Sequence, residues 1–134
     1  MGLNKYLLSM MLVVCTACLP LRALASEAYS VQLYFGLSIP DGRVVTTKQW
    51  NDFVVSQIAP RFDGFNVMDS LGYWRGKAEQ SKVVTIIMPK DQLPKAALIA
   101  KQYATLYHQD SVMLVHHPVS DSYLSPIKTT IPSG

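Results

Sequence analysis

The chain has 134 residues and carries 12 lysines and arginines against 9 aspartates and glutamates, a formal charge of +3. The basic residues are scattered singly. No stripe of charge invites nucleic acid or an anionic bilayer, so nucleic-acid binding is not expected. Its two cysteines, Cys15 and Cys18, both lie near the start, which leaves the rest of the chain without disulfide staples, thiol nucleophiles or cysteine metal ligands.

Residues 1–25 have the zones of a secretory signal: Lys5, the uncharged apolar run Tyr6–Leu19, the helix breaker Pro20, and small residues at Ala23-Leu24-Ala25. A membrane-spanning helix needs about 20 apolar residues. This run is shorter and Arg22 follows it, so removal after Ala25 is expected, giving a periplasmic or secreted protein. Loss of Lys5 and Arg22 leaves ten basic against nine acidic residues, a net charge of +1. The alternative is lipidation at Cys18, which would tether the same domain to a membrane. Thr16-Ala17 supplies the small residues of a lipoprotein signal, but the preferred leucine three positions before the cysteine is missing.

Downstream, Ser30–Ser38 alternates, with Val31, Leu33, Phe35 and Leu37 on one face, and reads as a half-buried strand. Pro40-Asp41-Gly42 supplies a turn. Thr46 with Gln49 three residues on is a capping box opening a helix, whose buried stripe is Trp50, Phe53, Val54 and Ile58. Pro60 stops that helix and Asp63-Gly64 turns the chain. Phe65–Trp74 reads as a second strand with a bulge at Gly72, and this leaves open which sheet face carries Trp74. Arg75–Gln80 reads as a polar turn. Lys82–Met88 is apolar on both faces and is expected at the sheet centre.

A second helix opens after Pro89, with Pro94 in its first turn and Ala96, Ile99, Tyr103, Leu106 and Tyr107 as its buried stripe. Ser111–His117 is the last strand, ended by Pro118, and a tail over 120–134 is expected to fray. The order is that of an α+β, ferredoxin-like βαββαβ domain over residues 26–119, a four-stranded antiparallel sheet with two helices on one face. The other face is then bare. Val84, Ile86 and Met88, or their alternates, would meet water there, so a homodimer packed through the open sheet face is expected.

Residues able to carry chemistry are few. His116 and His117 are adjacent on a strand and point to opposite faces. With only His108 besides, three converging metal ligands are not available, and no metal or cofactor is expected. Tyr34, Tyr73, Trp74, Arg61 and Arg75 form the other group: aromatics on an open sheet face can line a pocket, and an arginine can bind a carboxylate or phosphate bidentately. Of these and the histidines, Tyr34, Arg61, Trp74 and His116 are the ligand-binding candidates. Packing explains the aromatics equally well, and Arg61, between Pro60 and Phe62, is placed to satisfy carbonyls at a helix end. Asp41, Asp63 and Asp69 sit in or near turns. No nucleophile elbow, phosphate loop, dinucleotide fingerprint or zinc motif occurs.

The segments LYFGLSIPDG (33–42) and APRFDGFNVMDSLGYWRG (59–76), with Trp50 and Phe53 between them and SKVVTIIMP (81–89) and QDSVMLVHHPV (109–119) after them, resemble a family of small exported bacterial proteins, domain of unknown function 3574. The resemblance covers nearly all of the chain after residue 25. It implies a bacterial envelope protein and no particular activity. The function expected is a non-catalytic envelope or secreted binding module, acting on an unknown small ligand or envelope protein. The alternative is a metal-independent small-molecule enzyme with a pocket on the sheet or at a dimer interface.

Overall fold

The computed structural model describes residues 27–128. The expected export signal, the lipidation site at Cys18 and residues 129–134 of the tail lie outside the described residues. Four strands and two helices follow in the expected order: β1 (Ala28–Gly36), α1 (Thr47–Phe53), β2 (Asn66–Trp74), β3 (Lys77–Pro89), α2 (Leu93–Leu106) and β4 (Met113–Val119). Every neighbouring pair in the sheet is antiparallel and the strand order is β2-β3-β1-β4. Each strand–helix–strand half is thus split by a strand of the other half.

The alternation in β1 decides where the core sits. Val31, Leu33 and Phe35 are fully buried and meet Val84, Ile86 and Met88 of β3 on the same face. Trp50 and Phe53 of α1 and Ala96, Ile99, Ala100 and Tyr103 of α2 close over them in one cluster. Both helices therefore cover one face, as expected.

The first helix opens as its capping box requires: the Gln49 amide donates to Thr46 Oγ1 at 3.1 Å and the Thr46 amide to Gln49 Oε1 at 2.9 Å. Its second half widens into a π-helical stretch, Val54–Ile58, where the Ala59 amide reaches back to the Val54 carbonyl. That wider turn brings Ile58 onto the face already held by Trp50 and Phe53.

Three expectations need correction. First, β2 pairs with β3 without interruption from Asn66↔Thr85 to Trp74↔Lys77, so Gly72 marks no bulge. The turn is only Arg75-Gly76, both with positive φ (49° and 77°), the geometry that matches strand twist in a two-residue hairpin. Residues 77–80 belong to β3. They read as polar turn because both their faces meet water. Second, Leu106 is 57% exposed. At about 100° per residue it stands roughly 80° round the helix from Ala96, at the margin of the stripe, whereas Tyr107 stands roughly 20° from it. Third, Pro118 lies within β4 opposite Tyr29 and does not end it. As β4 is an edge strand, the missing amide costs no ladder bond on the outer side.

Tyr103 ties the layers together. Its ring packs against Phe35 (4.8 Å between centroids), Phe53 (5.1 Å) and Trp50 (6.2 Å), mostly edge to face. Its hydroxyl donates to the Gly36 carbonyl at 2.7 Å, at the end of β1 where β4 no longer pairs. Just beyond, the Gln109 amide donates to the Ala104 carbonyl, closing α2 with His108 in the left-handed region (φ 51°).

Replacing Tyr103 by Phe keeps the ring but strands the Gly36 carbonyl. It should cost about 1–3 kcal/mol in urea unfolding at neutral pH. Burial pushes the Tyr103 phenol well above its ordinary range, and the nearby Tyr107 and Glu79 push the same way. The unfolded chain therefore releases this proton first, near pH ~10. Stability should fall as pH rises past that point, and Tyr103→Phe should flatten the fall. A side chain in the left-handed region is relieved by glycine, so His108→Gly should raise stability by about 1 kcal/mol in urea unfolding.

Candidate functional site

The thirteen-residue β3 and its partner β2 reach past the helices as a long hairpin. Where the hairpin leaves the core, an open cleft of about 750 Å³ forms between it and the start of α1. Leu37, Val45 and Trp50 make its floor, and Val44 and Leu71, both exposed, stand at its sides. The backbone holds this end in place: Leu37 donates to the Gln80 carbonyl at 3.0 Å and Val45 to the Leu37 carbonyl at 2.8 Å, so residues 37–45 continue the sheet as a short loop against β3.

Two charges line this apolar cleft. Asp69 and Lys82 are directly opposed across the hairpin and form an ion pair. Lys82 follows Phe35 in register and keeps only 23% of its side chain exposed, while Asp69 keeps 83%. The Lys82 side chain is thus mostly packed away, and its ammonium meets a carboxylate that faces solvent. A cleft with apolar walls and a few fixed polar groups is the usual form of a small-ligand seat. An acid beside an amine there can hold a ligand that carries both signs.

The residues singled out from the sequence do not meet in one place. Tyr34 and Trp74 lie on the open sheet face, as the register with Val83 and Lys77 requires. Tyr34 donates to Gln32 Oε1 at 3.3 Å. Trp74 is 71% exposed at the hairpin tip, with the Arg75 guanidinium 5.7 Å from its ring centroid. Arg61 is at the far end of the molecule, where Nη1 donates to the Gln57 carbonyl at 2.6 Å and to Gln57 Oε1 at 3.2 Å, the helix-end role its neighbours implied. It also borders a second cleft of about 790 Å³ with Lys95, Asn66, Thr85 and Tyr123. His116 pairs with Val31 on the helix side, its ring 5.8 Å from that of Tyr29, and His117 pairs with Ser30 on the open side. Among the described residues no three of His, Cys, Asp and Glu converge as a metal site.

Asp69, expected in or near a turn, lies instead within β2, and Lys82, Leu71 and Val44 are not among the residues the sequence marks for chemistry. Their signal is the two-residue turn: once Arg75-Gly76 is the hairpin centre, Asp69 must face Lys82 and Leu71 must face Gln80.

The open face carries its own pattern. Met113, Tyr34, Val83 and Met68 stand side by side across all four strands. Val83 is buried although neither helix covers this side; Met68 and Met113 are exposed.

Two solved structures share this fold. A phage SAM lyase in complex with S-methyl-5'-thioadenosine matches with a TM-score of 0.50 and 17% identity, covering 68% of this chain and 81% of its own. A phage SAM lyase in the apo state matches with a TM-score of 0.51 and 20% identity, covering 81% and 96%. At that identity the likeness is one of fold. No curated protein matches. Residues 30–123, most of the chain, match the family described as protein of unknown function (DUF3574), and the chain belongs to that family.

Proposed function

We propose that this protein is an exported binding module whose ligand seat is the cleft between the β2–β3 hairpin and α1. The observation that carries the reading is one apolar cleft with the Asp69–Lys82 pair fixed in its wall. The ligand class that fits is a small molecule with a flat or aliphatic body to cover Val44 and Leu71 and a polar or zwitterionic group to meet the ion pair. Trp50 at the floor supplies the readout. In a Trp74→Phe background it is the remaining tryptophan of the chain, and nucleosides, nucleoside thioethers and aromatic zwitterions are titrated against its emission. A saturable change that Leu71→Asp weakens by about tenfold or more, as loss of an apolar wall implies, supports the seat. Sets that leave Trp50 unmoved throughout contradict it.

A second reading is a metal-independent enzyme acting on a nucleoside thioether or on SAM in the same cleft. What favours it is the shared fold of a lyase that holds S-methyl-5'-thioadenosine. The same titration separates the two. Binding of S-methyl-5'-thioadenosine with SAM left intact supports the module, and consumption of SAM that is lost in Lys82→Met and Asp69→Asn supports the enzyme.

The open face is proposed to meet a second copy of the chain. Its apolar row crosses all four strands. Strands of seven to thirteen residues, about 4.8 Å apart and rising about 3.3 Å per residue, present roughly 600 Å², near the lower end for one side of a stable interface. Light scattering on the full chain should give a dimer mass that Met68→Glu with Met113→Glu returns to monomer. A monomer at all concentrations for the parent protein contradicts this.

A further inference from the structure

Beyond the cleft, one spot at the rim of the open face gathers acceptors and no donor. Gly36 ends β1 on that face, beside Ser81. A side-chain carbon built on Gly36 would stand 2.6 Å from Glu79 Oε1 and 3.2 Å from Gln109 Oε1. Two oxygens from separate elements therefore stand together over Gly36, in the room that its missing side chain leaves to them. On the far flank, Gly72 lies opposite Glu79 and a carbon there would touch nothing nearer than the Glu79 carbonyl at 4.0 Å.

The orientation of Gln109 is determined by its partners. Nε2 donates to the Ser38 carbonyl at 2.8 Å and to the Tyr107 carbonyl at 3.0 Å. The reverse orientation would set an amide oxygen against two carbonyls, so Oε1 is the atom that lies over Gly36 with the Glu79 carboxylate. Gln109 is itself held by the close of α2 through its amide bond to Ala104. Glu79 is half-buried, and among the described contacts it receives no hydrogen bond and no ion pair, not even from Lys77 two residues along the same face. Two acceptors facing one another, one of them charged, leave a place for a donor of positive charge.

We propose that Glu79 and Gln109, over Gly36, form a binding site for a nitrogen cation, the primary ammonium or guanidinium group of a small molecule. The site is separate from the cleft. Its own charged group is on the opposite face of β3 from Lys82, by the alternation of the strand. The Asp69–Lys82 seat can therefore fail its test while this one stands.

The test is a two-dimensional amide NMR titration of the full chain with agmatine, methylguanidinium and methylammonium, at constant ionic strength. The amides of Gly36, Glu79 and Gln109 should shift together and saturate. Glu79→Gln should weaken the apparent affinity about tenfold or more, as loss of a charge-assisted bond implies, with the melting transition unchanged. Gly36→Ala, whose new carbon must displace the carboxylate, should weaken it likewise, and it serves if the Gln variant folds poorly. The proposal is overturned if sodium chloride moves the same amides equally, or if Glu79→Gln binds as well as the parent. It is also overturned if raising protein concentration alone fills the site, which would assign it to a cation from a second copy.

Discussion

A single hydroxyl holds the two layers in register. Tyr103 reaches from the second helix through the aromatic cluster to the Gly36 carbonyl, at the point where β1 has lost its β4 neighbour. Without that donor the half-buried carbonyl would lose its partner, and an acceptor left unpaired and partly out of water is costly. With it, the end of β1 is fixed, and so is everything built on that end: the loop 37–45 bonded to Leu37, the floor of the cleft, and the Gln109 side chain bonded to Ser38. Tyr107 repeats the device one turn on, donating to the Gln49 carbonyl of α1 at 3.2 Å.

The consequence is a molecule with one firmly held end, which carries both proposed sites. The cleft and the Glu79–Gln109 oxygens lie on opposite faces of the same stretch of β3, residues 79–82, and both depend on Gly36–Leu37 being held in place. The other end of the sheet is polar and holds Arg61 in local helix-end contacts. An exposed ion pair contributes little to stability. The Asp69–Lys82 pair, with Asp69 mostly exposed, therefore adds little folding energy, and its role in the proposed reading is to meet a ligand.

Most of the architecture was legible from the residues. The period-two pattern of β1, the Thr46–Gln49 box and the β-branched run of β3 each have one physical reading, and all agree on a split two-helix, four-strand domain. The misreadings share a cause. Residues 72–80 form a hairpin that leaves the core, so both of its faces are polar or mixed and alternation stops reporting on structure. Leu106 and Pro118 sit at margins where burial and pairing end. The candidate sites were hidden for another reason. Asp69 with Lys82, and Glu79 with Gln109, are brought together only by strand register and by the close of α2, so no local spacing announces them. The aromatics that drew attention, Tyr34 and Trp74, were conspicuous by type and turned out to lie on a face of their own.

The most direct measurement is amide hydrogen exchange, residue by residue, in the parent protein and in Tyr103→Phe. If one hydroxyl holds this end of the sheet, the amides of Leu37, Val45 and Gln109 lose protection in the variant, while those of Val31, Leu33 and Ile86 keep theirs. Loss of protection spread evenly over the whole sheet, or confined to α2 with Leu37 and Val45 unchanged, would contradict the account.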